Sequence, residues 1–321
     1  GGVDMTDTQN EVFKTPVNKI RLFEHGAPGS QNLKLTRKYY TEDMPDGRVK
    51  HIVQNITDPD IVPYIPDGIG NSTDRQRIPA VLIIPGGAFR RLVYNFEGED
   101  VAKWLNSMGI AAFVLECRLP SDEHDNAEDV PLIDAMRAMR VIRGRAQEFG
   151  IDEAKIGVMG FSAGGFMAAL LSTAYESDVY ADYKYKDEYD KLSARPDFAV
   201  CSYPVISIDD CIEAGKRYMS EEQVLERISD SKAKILHKYN PDKLVRPDMP
   251  PVFICETDDD RTTLSENSVG FYMAARKAGV SAELHIFRTG GHGYGCGDDF
   301  AQTGEWKVLF TKWIKSIGII S

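Results

Sequence analysis

The chain has 321 residues, of which 42% are hydrophobic and 27% charged, as in an ordinary globular protein that can bury a substantial core. Its formal net charge is −11, from 38 basic and 49 acidic side chains, and the sequence contains no run of Lys and Arg. We therefore expect no nucleic-acid partner and no membrane partner, since no apolar run reaches the roughly 18 residues that a membrane-spanning helix needs.

The cysteines and the first residues of the chain indicate the cellular compartment in which the protein is expected. Five cysteines, an odd number, are spread along the chain without the spacing of a metal site, so we expect free thiols. We take Met5 as the native start and the four residues before it as a remnant of cloning. The residues from Thr6 onward are polar and unlike a secretory signal. This favours the cytoplasm, and a signal removed during cloning would make the protein secreted.

Residues 1–77 are predicted to form an N-terminal extension that packs on the edge of the core. They are polar and rich in turn residues, with strand-like pieces at 33–40 and 51–56.

Residues 78–321 alternate short apolar strands with amphipathic helices. Strands are predicted at 78–84, 110–117, 155–159, 197–203, 251–255 and 282–287. Helices are predicted at 98–107, 130–149, 163–174, 264–278 and 304–317. This order predicts an α/β fold with a mostly parallel sheet covered by helices on both faces, which we expect to form one structural domain with the extension.

Two inserts interrupt the alternation. Residues 206–249 are largely helical and polar, and we predict a cap-like insert there. Residues 175–190 carry five tyrosines among acidic residues, which either stack on sugar rings or lie in a solvated surface loop. The five are Tyr175, Tyr180, Tyr183, Tyr185 and Tyr189.

The sequence Gly160-Phe161-Ser162-Ala163-Gly164 lies between a predicted strand and a predicted helix. A Gly-x-Ser-x-Gly in this position is the nucleophile elbow of an α/β-hydrolase, although the pentapeptide alone also occurs by chance. It makes Ser162 the candidate nucleophile.

An acyl-transfer serine needs a base and an acid, which follow it along the chain in this fold. His292 lies in a glycine-rich loop directly after the last predicted strand, and it is the only histidine so placed. Three aspartates, at 258, 259 and 260, follow the preceding strand, and at most one of them can face His292. We choose Asp260, with Asp259 next.

The oxyanion of the reaction needs N–H donors near the serine. The segment Pro85-Gly86-Gly87-Ala88-Phe89 follows the first core strand, where lipases and esterases carry a His-Gly-Gly-Gly motif. We assign the oxyanion hole to the N–H groups of Ala163 and of Gly87 or Ala88. A plain tight turn is the alternative for this segment.

With these segments, the chain resembles the α/β-hydrolase esterases known as acetylxylan or carbohydrate acetyl esterases, which are related to dienelactone hydrolases and prolyl-oligopeptidase catalytic domains. The resemblance covers residues 78–317 and also rests on Arg118-Leu119-Pro120, Arg195-Pro196-Asp197 and Gly290-Gly291-His292-Gly293. It places the family's catalytic aspartate on Asp260. The chain departs from the usual family pattern by carrying Glu256 for His, Leu264 for Pro, Ala88 for Gly and Cys117 for Tyr.

The resemblance and the placed residues imply a serine hydrolase that cleaves short-chain carboxylic esters without a metal or cofactor. Its expected substrates are small-molecule esters, above all O-acetyl groups of sugars or xylo-oligosaccharides. A broad short-chain carboxylesterase is the main alternative. A peptidase and a catalytically inactive binding protein are less favoured, and the sequence leaves the oligomeric state open.

Overall fold

The protein is described by a computed structural model that covers residues 13–14, 17–69, 76–228 and 230–321. The expected start at Met5 lies outside these residues. The strands are β1 (Ile20–Arg21), β2 (Lys38–Asp43), β3 (Val49–Gln54), β4 (Asp60–Tyr64), β5 (Ile78–Ile84), β6 (Leu92–Val93), β7 (Ala111–Glu116), β8 (Ile151–Phe161), β9 (Ala199–Ser202), β10 (Val252–Thr257) and β11 (Ala282–Phe287).

Helices connect most of these strands. They are α1 (Asp100–Ser107), α2 (Val130–Gly144), α3 (Ala146–Phe149), α4 (Ala163–Ala174), α5 (Ile208–Lys216), α6 (Glu221–Arg227), α7 (Asp230–Lys238), α8 (Pro241–Leu244), α9 (Glu266–Lys277) and α10 (Glu305–Ser316). Single helical turns lie at Asn95–Glu99, Glu188–Lys191 and Gln302–Gly304, the first of them a π-helical turn.

The main sheet has eight strands in the order β1-β4-β7-β5-β8-β9-β10-β11. The six strands from β7 to β11 in this order run parallel, whereas β4 is antiparallel to β7 and β1 is antiparallel to β4. Strands β5 and β8 end side by side, with Ile84 opposite Gly160. Because parallel strands end at the same edge, the loops after β5, β8, β9, β10 and β11 converge there.

Helices cover the sheet on both faces. On one face, α1 packs against α10, where Trp104 contacts Trp306 and Phe310 through their rings. Helices α2, α4, α8 and α9 form a connected layer on the other face. Strand β7 is buried along its whole length, as expected of a strand covered on both faces.

The predicted α/β fold with a mostly parallel sheet and flanking helices is confirmed. The bounds of β5, β11 and α4 are those predicted, and most other core elements differ by one to three residues at an end. Two elements differ more. Strand β8 begins at Ile151, because Ile151 pairs with Ile78 across a register shift, and the predicted helix 130–149 is divided at Arg145 into α2 and α3.

The N-terminal extension contributes to two sheets. Its strands β1 and β4 extend the main sheet, and β4, which was not predicted, contains Pro63. Strands β2 and β3 lie a few residues away from the predicted positions and form a separate antiparallel sheet with β6.

The insert at 206–249 is helical and contains α5 to α8. It is tied to the core through Asn267 Oδ1, which accepts the N–H groups of Ile206 at 2.8 Å and Ser207 at 3.0 Å. Further along the insert, the Lys238 ammonium group and the Tyr239 hydroxyl donate hydrogen bonds to the carboxylate of Asp129, which directly precedes α2. These contacts anchor the insert at its start and at the end of α7.

Candidate active site

Ser162 lies on a strained turn between β8 and α4. Its backbone has φ 56° and ψ −116°, a conformation that is costly for any residue with a Cβ. The surrounding backbone holds it there, because the Ser162 N–H donates to the Ser202 carbonyl at 3.0 Å and the Ser162 carbonyl accepts from Phe166 N–H at 3.0 Å. The strain is thus balanced by hydrogen bonds to β9 and α4.

The glycines on either side of Ser162 permit unusually close backbone packing. A Cβ placed on Gly160 would lie 1.9 Å from the Gly164 carbonyl oxygen, and one on Gly164 would lie 1.9 Å from the Ile84 carbonyl oxygen. No side chain fits in either place. The Gly-x-Ser-x-Gly spacing therefore lets α4 start directly against β8 and β5.

The side chains of Ser162, His292 and Asp260 form a continuous hydrogen-bonded row. His292 Nε2 lies 2.8 Å from Ser162 Oγ, and His292 Nδ1 lies 2.7 Å from Asp260 Oδ2. The Asp260 side chain is fully buried and that of His292 is 19% exposed. The row has the geometry of a nucleophile, a base and an orienting acid.

The three consecutive aspartates have different surroundings. Asp260 is buried, and its Oδ1 accepts the N–H groups of Thr262 and Thr263, both at 2.8 Å. Asp259 is exposed and accepts the Gly291 N–H at 2.8 Å, so it supports the histidine loop from outside. Asp258 is also exposed. Of the three, the structure places Asp260, the residue chosen from the sequence, against His292.

The loop after β5 lies against the nucleophile. A Cβ on Gly86 would fall 3.0 Å from Ser162 Cβ, and the next residues, Gly87 and Ala88, adopt positive φ values of 150° and 56°. Ala163 is the first residue of α4, so its N–H has no partner within the helix. Within the part of the chain that the structure describes, the N–H groups of Gly87, Ala88 and Ala163 donate to no other residue. They are available for an oxyanion.

Two residues near the site were missed in the sequence. Glu97, in the π-helical turn, is buried and binds both the Gly86 N–H and the Tyr203 hydroxyl. Tyr203 directly follows β9 at the same sheet edge as Ser162 and Asp260, and its position at the end of the predicted strand 197–203 was the available signal. Glu97 gave no such signal, since it lies among other acidic residues in an irregular turn.

Glu256 is a second carboxyl group beside Asp260. It is fully buried, and it accepts hydrogen bonds from Thr257 N–H at 2.9 Å and from Ser268 Oγ at 3.3 Å. Burial, together with the nearby negative charge of Asp260, raises the pKa of Glu256 well above its ordinary value. Burial therefore disfavours the ionised form of Glu256 next to the candidate acid.

The five tyrosines of 175–190 differ in their exposure, since Tyr185 is exposed and Tyr189 is half-buried. Tyr175, Tyr180 and Tyr183 are buried. The Tyr183 hydroxyl donates to the Gly26 carbonyl at 2.9 Å, and the Tyr180 hydroxyl donates to Asp190 at 2.7 Å. These two hydroxyl groups hold the buried tyrosines against the N-terminal extension and against the segment itself. The sequence pattern did not indicate these hydrogen-bond partners.

A small, mostly apolar cavity of about 20 Å³ lies beside the candidate oxyanion hole. The backbone at Gly87 and Ala163 forms part of its wall. The other lining side chains include Phe89, Leu119, Pro120 and Met167. A cavity of this character next to the nucleophile fits a short apolar group.

Among the described residues, no group of three or more His, Cys, Asp or Glu side chains is arranged to hold a metal ion. None of the helices in the described ranges is both long enough and apolar enough to cross a bilayer. All five cysteines are free thiols, and only Cys296 is partly exposed.

Comparison with known families decides the classification. The profile of the BD-FAE family matches residues 69–274, which is more than half of the chain. The chain belongs to the BD-FAE family. The match includes Ser162 and Asp260 and ends before the loop that carries His292.

Two curated relatives are similar over most of this chain. An acetylxylan esterase from Xylanibacter ruminicola is 31% identical over 240 residues, which are 74% of this chain and 45% of the relative. An endo-1,4-beta-xylanase B from Butyrivibrio fibrisolvens is 31% identical over 227 residues, which are 70% of this chain and 34% of the relative. The chain thus aligns with less than half the length of these curated relatives.

Solved structures support the fold. The acetyl ester-xyloside bifunctional hydrolase from Caldicellulosiruptor lactoaceticus is 35% identical, with a TM-score of 0.71 over 94% of this chain and 97% of that chain. The carboxylesterase Cest-2923 from Lactobacillus plantarum is 21% identical, with a TM-score of 0.65 over 89% and 99%. The α/β-hydrolase fold and the resemblance to esterases stated from the sequence are confirmed.

Two glycines in helices offer a test of the close packing at the elbow. Gly164→Ala is expected to lower the free energy of unfolding by about 3 kcal/mol, because its Cβ meets the Ile84 carbonyl. The control is Gly270→Ala in α9, where a Cβ meets nothing within 4 Å. That change is expected to raise stability by about 0.5–1 kcal/mol. Urea unfolding measures both, and equal effects at the two positions would contradict the packing argument.

The raised pKa of Glu256 predicts a pH-dependent stability difference. Above pH 4.5 the unfolded chain releases this proton while the folded chain retains it, so the stability of the wild type falls as pH rises toward the raised pKa. Glu256→Gln removes this loss, and its stability relative to wild type should rise by about 1.4 kcal/mol per pH unit in that window.

The measurement is urea unfolding of wild type and Glu256→Gln at pH 4.5, 6 and 7.5. Glu226→Gln, at an exposed position, is the control for removing one negative charge. A constant stability difference between wild type and Glu256→Gln across this range would show that Glu256 ionises normally.

Proposed function

We propose that the protein is a serine esterase that removes short acyl groups, chiefly O-acetyl groups, from sugars or xylo-oligosaccharides. The observation that carries the proposal is the hydrogen-bonded row from Ser162 through His292 to Asp260, which starts on a strained elbow. The unoccupied N–H groups of Gly87, Ala88 and Ala163 lie on the adjoining backbone. These parts are what acyl transfer through a covalent intermediate requires.

The first step forms a tetrahedral intermediate on Ser162. Ser162 Oγ attacks the ester carbonyl carbon while its proton passes to His292 Nε2. The carbonyl oxygen becomes an oxyanion and accepts hydrogen bonds from Ala163 N–H and from the Gly87–Ala88 backbone. The positive end of α4, which begins at Ala163, stabilises the same negative charge.

The tetrahedral intermediate then collapses to the acyl-enzyme, and the acyl-enzyme is hydrolysed in a second stage. His292 returns the proton to the alcohol oxygen of the substrate, the ester C–O bond breaks, and the alcohol leaves. Water, deprotonated by His292, attacks the acyl-enzyme, and Ser162 recovers the proton as the acid is released. Asp260 fixes the tautomer of His292 and stabilises the imidazolium in both stages.

The proposed substrate has two supports. The apolar cavity beside Gly87 and Ala163 is small and suits a short acyl chain. The names of two relatives, an acetylxylan esterase and an acetyl ester-xyloside bifunctional hydrolase, place acetyl esters of xylan-derived sugars among the substrates of similar proteins.

Rates on p-nitrophenyl acetate, butyrate and octanoate, and on acetylated xylo-oligosaccharide, test the proposal. We expect a preference for acetate and release of acetate from the oligosaccharide. Ser162→Ala should lower both rates by a factor on the order of 10⁴–10⁶, since it removes the nucleophile. The control Ser172→Ala removes another buried hydroxyl from α4, one that donates to the Ala168 carbonyl, and should leave the rates nearly unchanged.

Other outcomes separate the alternatives. Turnover of aryl esters without any release of acetate from the oligosaccharide would indicate a general carboxylesterase. No turnover, together with no labelling of Ser162 by a fluorophosphonate in folded protein, would contradict esterase function altogether.

The cavity predicts which residue limits acyl length. Met167 lies one turn after Ala163 and lines the cavity, so Met167→Ala should admit a longer chain. Burying two more methylene groups favours butyrate, and the ratio of kcat/KM for butyrate over acetate should rise roughly tenfold.

The control is Met139→Ala, at a buried position in α2 that does not line this cavity. Both changes should cost about 2–5 kcal/mol of stability, but only Met167→Ala should alter the ratio. An unchanged ratio in Met167→Ala would place the acyl group elsewhere.

A further inference from the structure

Glu97 is a buried carboxyl group whose hydrogen-bond donors carry no charge. It is 5% exposed. Its Oε1 accepts the Gly86 N–H at 3.2 Å, and its Oε2 accepts the Tyr203 hydroxyl at 2.6 Å. Burial of a carboxyl group is costly, and here it raises the pKa of Glu97 above its ordinary value. We therefore expect the Glu97 carboxyl group, which is buried at a cost in free energy near the reaction centre, to have a functional role.

Tyr203 links Glu97 to the loop that carries His292. Its hydroxyl accepts the Gly295 N–H at 3.0 Å while it donates to Glu97. Its ring packs edge-on against His292, with centroids 4.8 Å apart and planes at 61°. Its backbone has φ 36°, so the residue is held in a strained conformation, as Ser162 is.

Glu97 and Tyr203 together join two separate loops. The hydrogen bonds run from Gly86 through Glu97 and Tyr203 to Gly295. Gly86 directly precedes the candidate oxyanion donors, and Gly295 lies three residues after His292. We call this chain of contacts the Glu97–Tyr203 bridge. The indole N–H of Trp306 donates to the Gly295 carbonyl at 3.0 Å and secures the far end of the bridge on α10.

We infer that Glu97 and Tyr203 are positioning residues for ester hydrolysis, which set the distance between the oxyanion donors and His292. This inference rests on the proposed function. The negative oxygen and the protonated histidine exist together only around the tetrahedral intermediate, so the bridge acts on the transition state more than on substrate binding. Its loss therefore lowers kcat and leaves KM nearly unchanged.

Tyr203→Phe tests the bridge, since it removes the hydroxyl and keeps the ring against His292. We expect kcat on p-nitrophenyl acetate to fall by about 10- to 100-fold, the size of effect that small misplacements of reacting groups produce, with KM within about twofold of wild type. The control Tyr183→Phe removes another buried tyrosine hydroxyl, which donates to the Gly26 carbonyl, and should leave kcat unchanged.

Glu97→Gln provides a second variant that keeps the shape of the side chain. Its amide oxygen still accepts the Gly86 N–H, but the Tyr203 hydroxyl loses its acceptor. Because both changes remove the hydrogen bond from the Tyr203 hydroxyl to the Glu97 carboxyl group, the double variant should have nearly the kcat of the slower single variant and not the product of the two losses. If the loss of kcat in the double variant equals the product of the two single losses, the two residues do not act through a common bridge.

A boronic acid that forms a tetrahedral adduct on Ser162 separates positioning from mere stability. The affinity of the boronic acid should be lower for Tyr203→Phe than for wild type, in parallel with the fall in kcat/KM, because the adduct resembles the transition state. It should not weaken in Tyr183→Phe. If Tyr203→Phe and Glu97→Gln lower only the melting temperature and leave kcat and boronate affinity unchanged, the two residues are structural and the inference is wrong.

The failure of the inference is distinct from failure of the proposed function. An active wild type with fully active Tyr203→Phe and Glu97→Gln variants overturns the inference alone. A folded wild type that hydrolyses no ester and is not labelled by a fluorophosphonate overturns both.

Discussion

The site depends on how closely the backbone of α4 approaches the ends of β5 and β8. Gly164 leaves no room for a side chain against the Ile84 carbonyl, and Gly86 leaves none against the Phe161 carbonyl and Ser162. Because these contacts join backbone to backbone, they cannot be relieved by moving a side chain. They bring the nucleophile and the candidate oxyanion donors together. Four of the residues with positive φ other than glycine, Ala88, Phe89, Ser162 and Tyr203, occur in this small region.

A second property of the site is that it holds three buried carboxyl groups, none of which forms an ion pair with a lysine or an arginine among the described residues. Glu97, Glu256 and Asp260 are all nearly inaccessible to water. Asp260 accepts backbone N–H groups and faces His292, whereas Glu256 and Glu97 have raised pKa values. The low-dielectric surroundings strengthen the interaction of the Asp260 carboxylate with a protonated His292. The same surroundings disfavour charge on the neighbouring Glu256.

Much of the fold was predictable because core strands and helices have clear periodicity. Strand β5 and helix α4 were predicted with their exact bounds, since buried strands read as apolar runs and α4 follows a glycine motif. Strand β4 was missed because Pro63 argues against a strand, although at Asp60–Tyr64 the chain still pairs with β7. The partition of the N-terminal strands between two sheets depends on long-range pairing, which local pattern does not encode.

The candidate site was predictable to the extent that it follows strand ends. Ser162, Asp260 and His292 each occupy a loop after a predicted strand, and the fold brings them within hydrogen-bond distance of one another. Glu97 was not predictable, because its importance arises from contacts with residues more than ten positions away in sequence. The buried tyrosines of 175–190 show the same limit, since the composition of the segment does not indicate which groups their hydroxyls bind.

Strand β11, which leads into the loop of His292, is the last strand of the main sheet and is bonded to the sheet through β10. An edge strand with a single partner opens at a lower free energy than a central strand such as β8. We therefore expect heat or denaturant to free the histidine loop before the central strands and Ser162. The protein should pass through a partly opened form that has lost its base but retains most of its helix content, so inactivation precedes global unfolding.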